Sequence, residues 1–265
     1  MENYIAQNKL AWEYDAYNFW VSLQGTPEEI ARGNLENPRG MLKKYVKYFA
    51  DVTGVRIAVI CGSCGKKAVP LAMLGASVTV FDLSEGNARY ALETAEASGT
   101  QIDYIVGDVL SIDMAVYGGY FDVVFMEGGI LHYFHDISKF MDMMYALLKD
   151  SGRMLCSDFH PLNRIINVLG LWGREEHPAN VSEADYFDSE IKEVEMPHAR
   201  YYDEEKRRSF PKCLIRGHTL SEIINAAINA KFTITGFDEH PAWTNPKLPG
   251  EFTLLADKGL ALRFV

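Results

Sequence analysis

The sequence predicts an α/β fold: a doubly wound, mostly parallel, seven-stranded sheet whose last strand is antiparallel. Three observations carry this prediction. Between residues 55 and 157 short apolar runs alternate with helical stretches, and strands separated by helices imply right-handed parallel crossovers with both sheet faces covered. The first strand meets its helix through a turn of small residues, Cys61-Gly62-Ser63-Cys64-Gly65, and the second strand closes on an acid, Asp82. The link between the last two apolar runs contains Pro241, Pro246 and Pro249 and no helical period, so those two strands pair antiparallel at one edge.

Taken in order, VRIAVI (55–60) is the first strand, 66–74 a helix, SVTVF (77–81) the second strand and 84–97 a helix. IDYIV (102–106) and FDVVFM (121–126) are the third and fourth strands. Residues 137–149 place Phe140, Met144, Leu147 and Leu148 on one helical face, and RMLCS (153–157) makes the fifth strand. Thr219 and Glu222 have the spacing of a capping box, ahead of a helix whose Leu220, Ile223, Ile224, Ala227 and Ile228 share a face. FTITGF (232–237) and FTLLA (252–256) complete the sheet.

Two segments stand outside this rhythm. Residues 2–20 read as helix and carry Tyr4, Trp12, Tyr14, Tyr17, Phe19 and Trp20, after which 25–40 reads as turn-rich. Residues 160–216, with prolines, aromatics and the charge run 203–208, show no helix–strand repeat and read as an insertion, the charge run as a solvated turn. The expected organisation is an N-terminal helical lid over 1–50 and a ligand-binding domain over 51–265, with 160–216 as a substrate cap.

Composition narrows the function classes. With 48% hydrophobic and 23% charged residues, the 265-residue chain has the make-up of one large globular α/β domain. A formal charge of −10 and the lack of a basic stripe argue against a nucleic-acid partner and fit a small, neutral or cationic molecule. The N-terminus lacks the basic start and apolar run of a secretory signal, and no apolar run reaches spanning length, so a cytoplasmic protein without a membrane partner is expected, monomer or homodimer. Four cysteines are too few for a disulfide scaffold of this size, and Cys156 and Cys213 are isolated, so no metal site is expected.

In doubly wound folds a ligand sits at the carboxyl ends of the strands, where small turn residues allow close approach and a helix N-terminus offers unpaired N–H groups. The stretch VRIAVICGSCGKKAVPLAMLGASVTVFDLS has this form, and VGDV, FDVVFMEGGILHYF, LLKDSGRMLCSDFHP, TLSEIINAAINAKFTITGF and EFTLLADK follow it. In order and spacing these segments, covering roughly 50–158 and 217–258, resemble the class I S-adenosylmethionine-dependent methyltransferases. Gly65 matches the last glycine of that family's Gly-x-Gly-x-Gly turn; Cys61 and Ser63 stand at the first two glycine positions, and Val59 replaces the usual acidic residue. The resemblance implies S-adenosylmethionine as cofactor and S-adenosylhomocysteine as product. It implies contacts from Cys61, Gly62, Ser63 and Gly65 in the turn, and from Asp82 and Leu83 at the ribose. Asp108 and Val109 would lie near the adenine, and Glu127 and Gly128 along the methionine end.

Other readings of the same residues stay open. Cys61-Gly62-Ser63-Cys64 is a C-x-x-C opening a helix, the placement of thioredoxin-like redox cysteines, although no cis-proline loop or preceding βαβ unit is found. A strand–turn–helix–acid unit also suits NAD(P), although only Gly62-x-x-Gly65 of that fingerprint is present. A protein that binds S-adenosylmethionine without turnover is the third alternative.

Methyl transfer to an oxygen, nitrogen or sulfur atom of a small molecule rests mainly on in-line positioning, with a base as possible help. Candidate bases are His132, on the loop after the fourth strand, and Asp158 and His160 after the fifth, His160 first because it ends a strand just before Pro161. Trp12, Tyr17, Trp172 and Tyr202 are the candidate substrate contacts, since aromatic walls suit a planar or apolar acceptor and the methyl sulfonium.

Overall fold

The computed structural model describes residues 3–168, 185–243 and 245–259. Seven strands form one sheet in the order β3-β2-β1-β4-β5-β9-β8. β1 (Arg56–Ile60), β2 (Ser77–Asp82), β3 (Asp103–Val106), β4 (Phe121–Glu127) and β5 (Leu148–Phe159) run parallel. β9 (Pro249–Lys258) lies reversed between β5 and β8 (Phe232–Pro241), pairing antiparallel with both. The expected seven-stranded sheet with its antiparallel last strand is therefore the sheet observed.

Burial explains why the strands read so plainly. β1 and β2 are covered on both faces, leaving only their first residues accessible, so their sequences are continuous apolar runs rather than alternations. One face packs α7 (Ile137–Leu147) and α10 (Leu220–Asn229), through Phe140, Met144 and Ile223, over Phe121 and Met126. The other packs α4 (Ala68–Met73) and α5 (Glu85–Ala97), with the 3₁₀ segment Gly40–Tyr48, over Ile57, Val78 and Phe125. β1 pairs β2 on one side and β4 on the other, so the order reverses there and a crevice opens at the carboxyl ends of β1 and β4.

α1 (Asn3–Glu13) and α2 (Ala16–Gln24) take up the aromatic N-terminus. The 25–40 stretch expected to be turn-rich instead holds α3 (Pro27–Glu36): Thr26 and Glu29 form a capping box and Pro27 sits in the first turn, signals that outweigh the flanking glycines. The helix expected over 66–74 begins later, at Ala68, because the preceding turn continues through Lys67. A short α6 (Met114–Tyr117) precedes β4.

The described part of 160–216 is more regular than expected. After α8 (Leu162–Val168), β6 (Ile191–Val194) and β7 (Cys213–Arg216) pair antiparallel as a separate two-stranded sheet. Between them lie the 3₁₀ turn Pro197–Tyr201 and α9 (Glu204–Ser209). The charge run is thus a solvated helix rather than a turn, capped by Asp203, whose side chain accepts from the Lys206 N–H, with acids in its first turn and bases in its last. Residues of this segment and of α1 share a small core of Ala11, Met196, Ala199, Phe210 and Cys213. Among the described residues no helix is long and apolar enough to cross a membrane.

Candidate active site

The carboxyl ends of β1, β2 and β4, with the loop after β3, meet under α1 and α2 in a cavity of about 410 Å³. Its wall includes Cys61, Gly62, Ser63, Asp82, Leu83, Asp108, Val109, Glu127 and Gly128. Nine of the ten positions singled out for a cofactor thus converge on one surface. Gly65 is the tenth and lies behind the wall: at φ 76° it turns the chain against α5, where an added Cβ would stand 2.8 Å from the Ala91 Cβ. Its role is close packing rather than contact.

The turn after β1 takes its form from backbone angles. Cys61 at φ 50°, Ser63 at φ 48° and Gly65 at φ 76° are all left-handed, so the two substituted positions keep a conformation that glycine adopts most easily. At Gly62 an added Cβ would meet Val80 at 2.7 Å and Val59 at 2.9 Å, so the turn lies flat on the strands. Ser63 Oγ is buried on the cavity wall without a hydrogen-bond partner among the described residues. Burial pushes both turn thiols up, that of Cys64 to about 11, and a protonated thiol is a poor nucleophile.

Asp82 closes β2 and is 7% exposed. Its Oδ2 accepts from the Ser63 N–H at 3.0 Å, and Oδ1 accepts from the Ser84 N–H at 3.0 Å and Asn87 Nδ2 at 3.1 Å. Burial raises its pKa, and these three donors work against that rise. A carboxylate offers about four acceptor sites, so a ligand hydroxyl still finds room. Asn87 in turn accepts from Trp20 Nε1 at 2.7 Å, which ties the roof helix α2 to the acid on the floor. Asp108 accepts from the Leu110 N–H at 3.0 Å and Ser111 Oγ at 3.2 Å, fixing the loop after β3.

At the other end Gly128 and Gly129, at φ 91° and 81°, bend the chain away from β4. Burial and the Glu127 carboxylate together push the Tyr45 hydroxyl well above its ordinary value. Lys67, 5% exposed on the wall, donates to the Met41 carbonyl at 2.7 Å, and burial lowers its pKa.

The candidate bases lie elsewhere. Asp158 is 3% exposed, and its Oδ2 accepts from the N–H groups of Ile130 and Leu131 at 2.8 Å each, with burial raising its pKa to about 6. It thereby holds the loop that carries Ile130 to the wall. His160 is buried, accepts from the Leu162 N–H at 3.2 Å through Nδ1 and approaches Glu239 at 3.2 Å through Nε2, so it braces the corner between β5 and β8. His132 packs on Tyr133 with ring centroids 4.3 Å apart, and burial lowers its pKa to about 4. None of the three is among the residues lining the cavity, contrary to their expected opening onto the substrate.

Of the aromatic candidates, Trp12 lines the cavity. Tyr17 faces outward instead, bonded to Glu93 with the Arg89 guanidinium 4.0 Å from its ring centroid. Tyr202 packs behind the wall, its hydroxyl donating to Asp15 at 3.2 Å. Trp172 falls outside the described residues. Sequence reasoning missed Tyr4, Trp20, Lys67, Tyr133, His198 and Arg200, all on the wall. For Tyr4 and Trp20 the aromatic N-terminal helix was the available signal, whereas His198 and Arg200 sit in a segment with no period to place them.

The comparisons with known proteins agree with this geometry. Residues 57–152 match the family described as a methyltransferase domain. A ubiquinone biosynthesis O-methyltransferase from Ruegeria sp. (strain TM1040) is 37% identical over 119 residues, 44% of this chain and 47% of that protein. The chain thus spans about half the length of such relatives. A methyltransferase of Bacillus subtilis (strain 168), YbaJ, is 24% identical over 90% of this chain and 91% of its own. Among solved structures, magnesium protoporphyrin IX methyltransferase from Synechocystis PCC 6803, with bound SAH, superposes with TM-score 0.61 at 15% identity, covering 97% of this chain and 100% of that one. An S-adenosylmethionine-dependent methyltransferase from Mesorhizobium loti gives 0.61 at 18% identity, covering 84% and 100%. Residues 57–152, from β1 into β5, thus match a methyltransferase domain whose strand ends make the floor of the cavity.

Proposed function

We propose that the chain binds S-adenosylmethionine in this cavity and transfers its methyl group to an oxygen, nitrogen or sulfur atom of a small molecule. The observation that carries this reading is the convergence of the left-handed turn 61–65, the buried Asp82 and the Asp108 and Glu127 loops on one wall. The residues present fit the cofactor: Asp82 has acceptor capacity left for ribose hydroxyls, Ser63 Oγ is a buried polar atom lacking a partner among the described residues, and the turn lets a ligand approach the backbone. Asp108 and Val109 would hold the adenine side, and Glu127, Gly128 and Lys67 the methionine side, where a carboxylate and an ammonium suit an amino acid's two charges.

Bound there, S-adenosylmethionine would supply an electrophilic methyl carbon, which bonds to the acceptor atom as its bond to sulfur breaks and S-adenosylhomocysteine leaves. The protein's own part is positioning and exclusion of water. α1 and α2 act as the lid, with Trp12 and Trp20 facing the strand ends, and the described part of 160–216 acts as the substrate cap. Asp158 is a positioning residue, holding the loop of Ile130 and Leu131 through two N–H bonds, while His160 and His132 serve packing.

Calorimetry with S-adenosylmethionine, S-adenosylhomocysteine, NAD and NADP tests this reading. Binding of the adenosyl compounds alone is expected; binding of NAD or NADP instead would overturn it. A transfer screen over phenols, amines and thiols then separates an enzyme from a non-catalytic binder and identifies the acceptor atom.

A further inference from the structure

Beyond the Ser63 hydroxyl, several polar side chains on the cavity wall are tied within the protein. Asp82 and Asp108 accept from backbone N–H groups, Asn8 pairs with the backbone of Leu214, and Lys67 donates to Met41. Two side chains of the 3₁₀ turn Pro197–Tyr201 lack such ties. His198 is 6% exposed and lines the cavity, yet its Nδ1 is buried with no hydrogen-bond partner among the described residues. A buried nitrogen left unpaired carries a standing cost that a ligand's hydrogen bond removes. Arg200 lies on the exposed side of the same turn. Among the described residues its hydrogen bond goes to the Tyr201 hydroxyl, at 3.0 Å, and the Tyr201 ring centroid lies 4.9 Å away. The other described arginines each pair with a carboxylate or a backbone carbonyl.

The surroundings are aromatic. Phe19 stacks on His198 at 3.6 Å, and Trp12 and Trp20 meet it edge-on at 5.0 and 5.1 Å. The wall's acids, Asp82, Asp108 and Glu127, sit on the strand-end side that the cofactor reading assigns to S-adenosylmethionine. The end facing the turn is therefore apolar and cationic, although the chain as a whole is at −10.

Resting on that cofactor reading, we infer that the turn Pro197–Tyr201 recognises the acceptor, and that the acceptor is a planar aromatic acid. Its ring lies among Trp12, Trp20 and Tyr201, a polar substituent hydrogen-bonds the His198 imidazole, and its acidic group pairs with Arg200, whose fork suits a carboxylate.

Titration calorimetry of protein saturated with S-adenosylhomocysteine, using salicylate and salicylamide as probes, tests the inference. Salicylate binds about tenfold more tightly than the uncharged amide, and R200Q abolishes that difference. H198F, which keeps the aromatic packing, weakens both probes by about tenfold. Arg200 is exposed, so R200Q leaves the fold intact, and both variants keep the affinity for S-adenosylhomocysteine. Equal binding of the two probes, no binding of either, or a preference that survives R200Q overturns the inference alone. Failure of S-adenosylhomocysteine itself to bind overturns the cofactor reading and this inference with it.

Discussion

The floor of the cavity is made by strand ends whose places are set by a hydrogen-bonded sheet, whereas its roof is made by α1, α2 and a 3₁₀ turn held by side chains. On the floor, backbone angle matters more than residue type: Cys61 and Ser63 stand where glycine is easiest, and the turn keeps its left-handed form. On the roof the reverse holds. Asn8 on α1 grips β7 by donating to the Leu214 carbonyl at 3.0 Å and accepting its N–H at 2.7 Å, a pairing that uses both ends of the amide. The floor's turn keeps its form with other residues in the glycine positions; the roof's grip on β7 depends on Asn8.

Four measurements break or sharpen this contrast. The largest effect is expected at the floor's buried carboxylate: Asp82→Ala lowers the affinity for S-adenosylhomocysteine by about 100-fold in calorimetry, since a buried ionic acceptor is lost. An unchanged affinity would remove Asp82 from the binding site.

Next comes acid stability, which reads the roof. Burial, with Arg200 adding to it, lowers the His198 pKa to about 4 from an ordinary 6.5. Between those values the unfolded chain binds a proton that the folded one does not, so this group's contribution falls as pH drops from 6.5 towards 4. His198→Phe is expected to flatten that limb of a denaturation-against-pH curve by about 2–3 kcal/mol. Asp158 has the opposite sign: its folded pKa is raised to about 6, so its protonation favours the fold as pH drops through the same window, and Asp158 is left intact in both proteins compared. A parallel acid limb in the variant would place His198 in a solvated setting.

Asn8→Ala should cost about 1–3 kcal/mol, confined to the roof, because it leaves the Leu214 N–H unpaired and its carbonyl with only the His135 contact at 3.4 Å. Hydrogen exchange reads it: amides of α1 and β7 exchange faster while those of β1 and β4 keep their rates, and equal acceleration in both would show that roof and floor unfold as one unit. The smallest effect belongs to Ser63→Gly, which relieves a left-handed side chain and is expected to raise stability by up to about 1 kcal/mol in scanning calorimetry. A fall instead would mean that the Ser63 hydroxyl holds the turn.

The same division decides what the sequence could tell. β1 and β2 are buried on both faces and β4 through its centre, so they appear as apolar runs bounded by turns, and the cavity-facing positions follow from the strand ends. Thr219 and Glu222 announced α10 because a capping box is local. The capping box at Thr26 and Glu29 was equally local, but glycines at both ends of the segment masked it. The roof was illegible for a different reason. β6 and β7 are four residues each, partly exposed and paired only with each other, so no burial period marks them. His198 reaches the wall through contacts with Phe19, Trp12 and Trp20, nearly 180 residues earlier in the chain, which no local pattern encodes. His160 misled by its place at a strand end: the side chain there turns back to Glu239 rather than forward to the cavity.

The reversed strand β9 also governs how the sheet can be assembled. β5 pairs residues 153–159 with 251–257, and the Ser157 hydroxyl donates to the Phe252 carbonyl 95 residues away. During synthesis β5 has a finished partner in β4 long before β9 exists, and its far edge is a row of unpaired N–H and carbonyl groups on an apolar strand. The chain is exposed to misassociation for the whole time it takes to make α10 and β8, and a product stopped short of Pro249 keeps that edge open permanently.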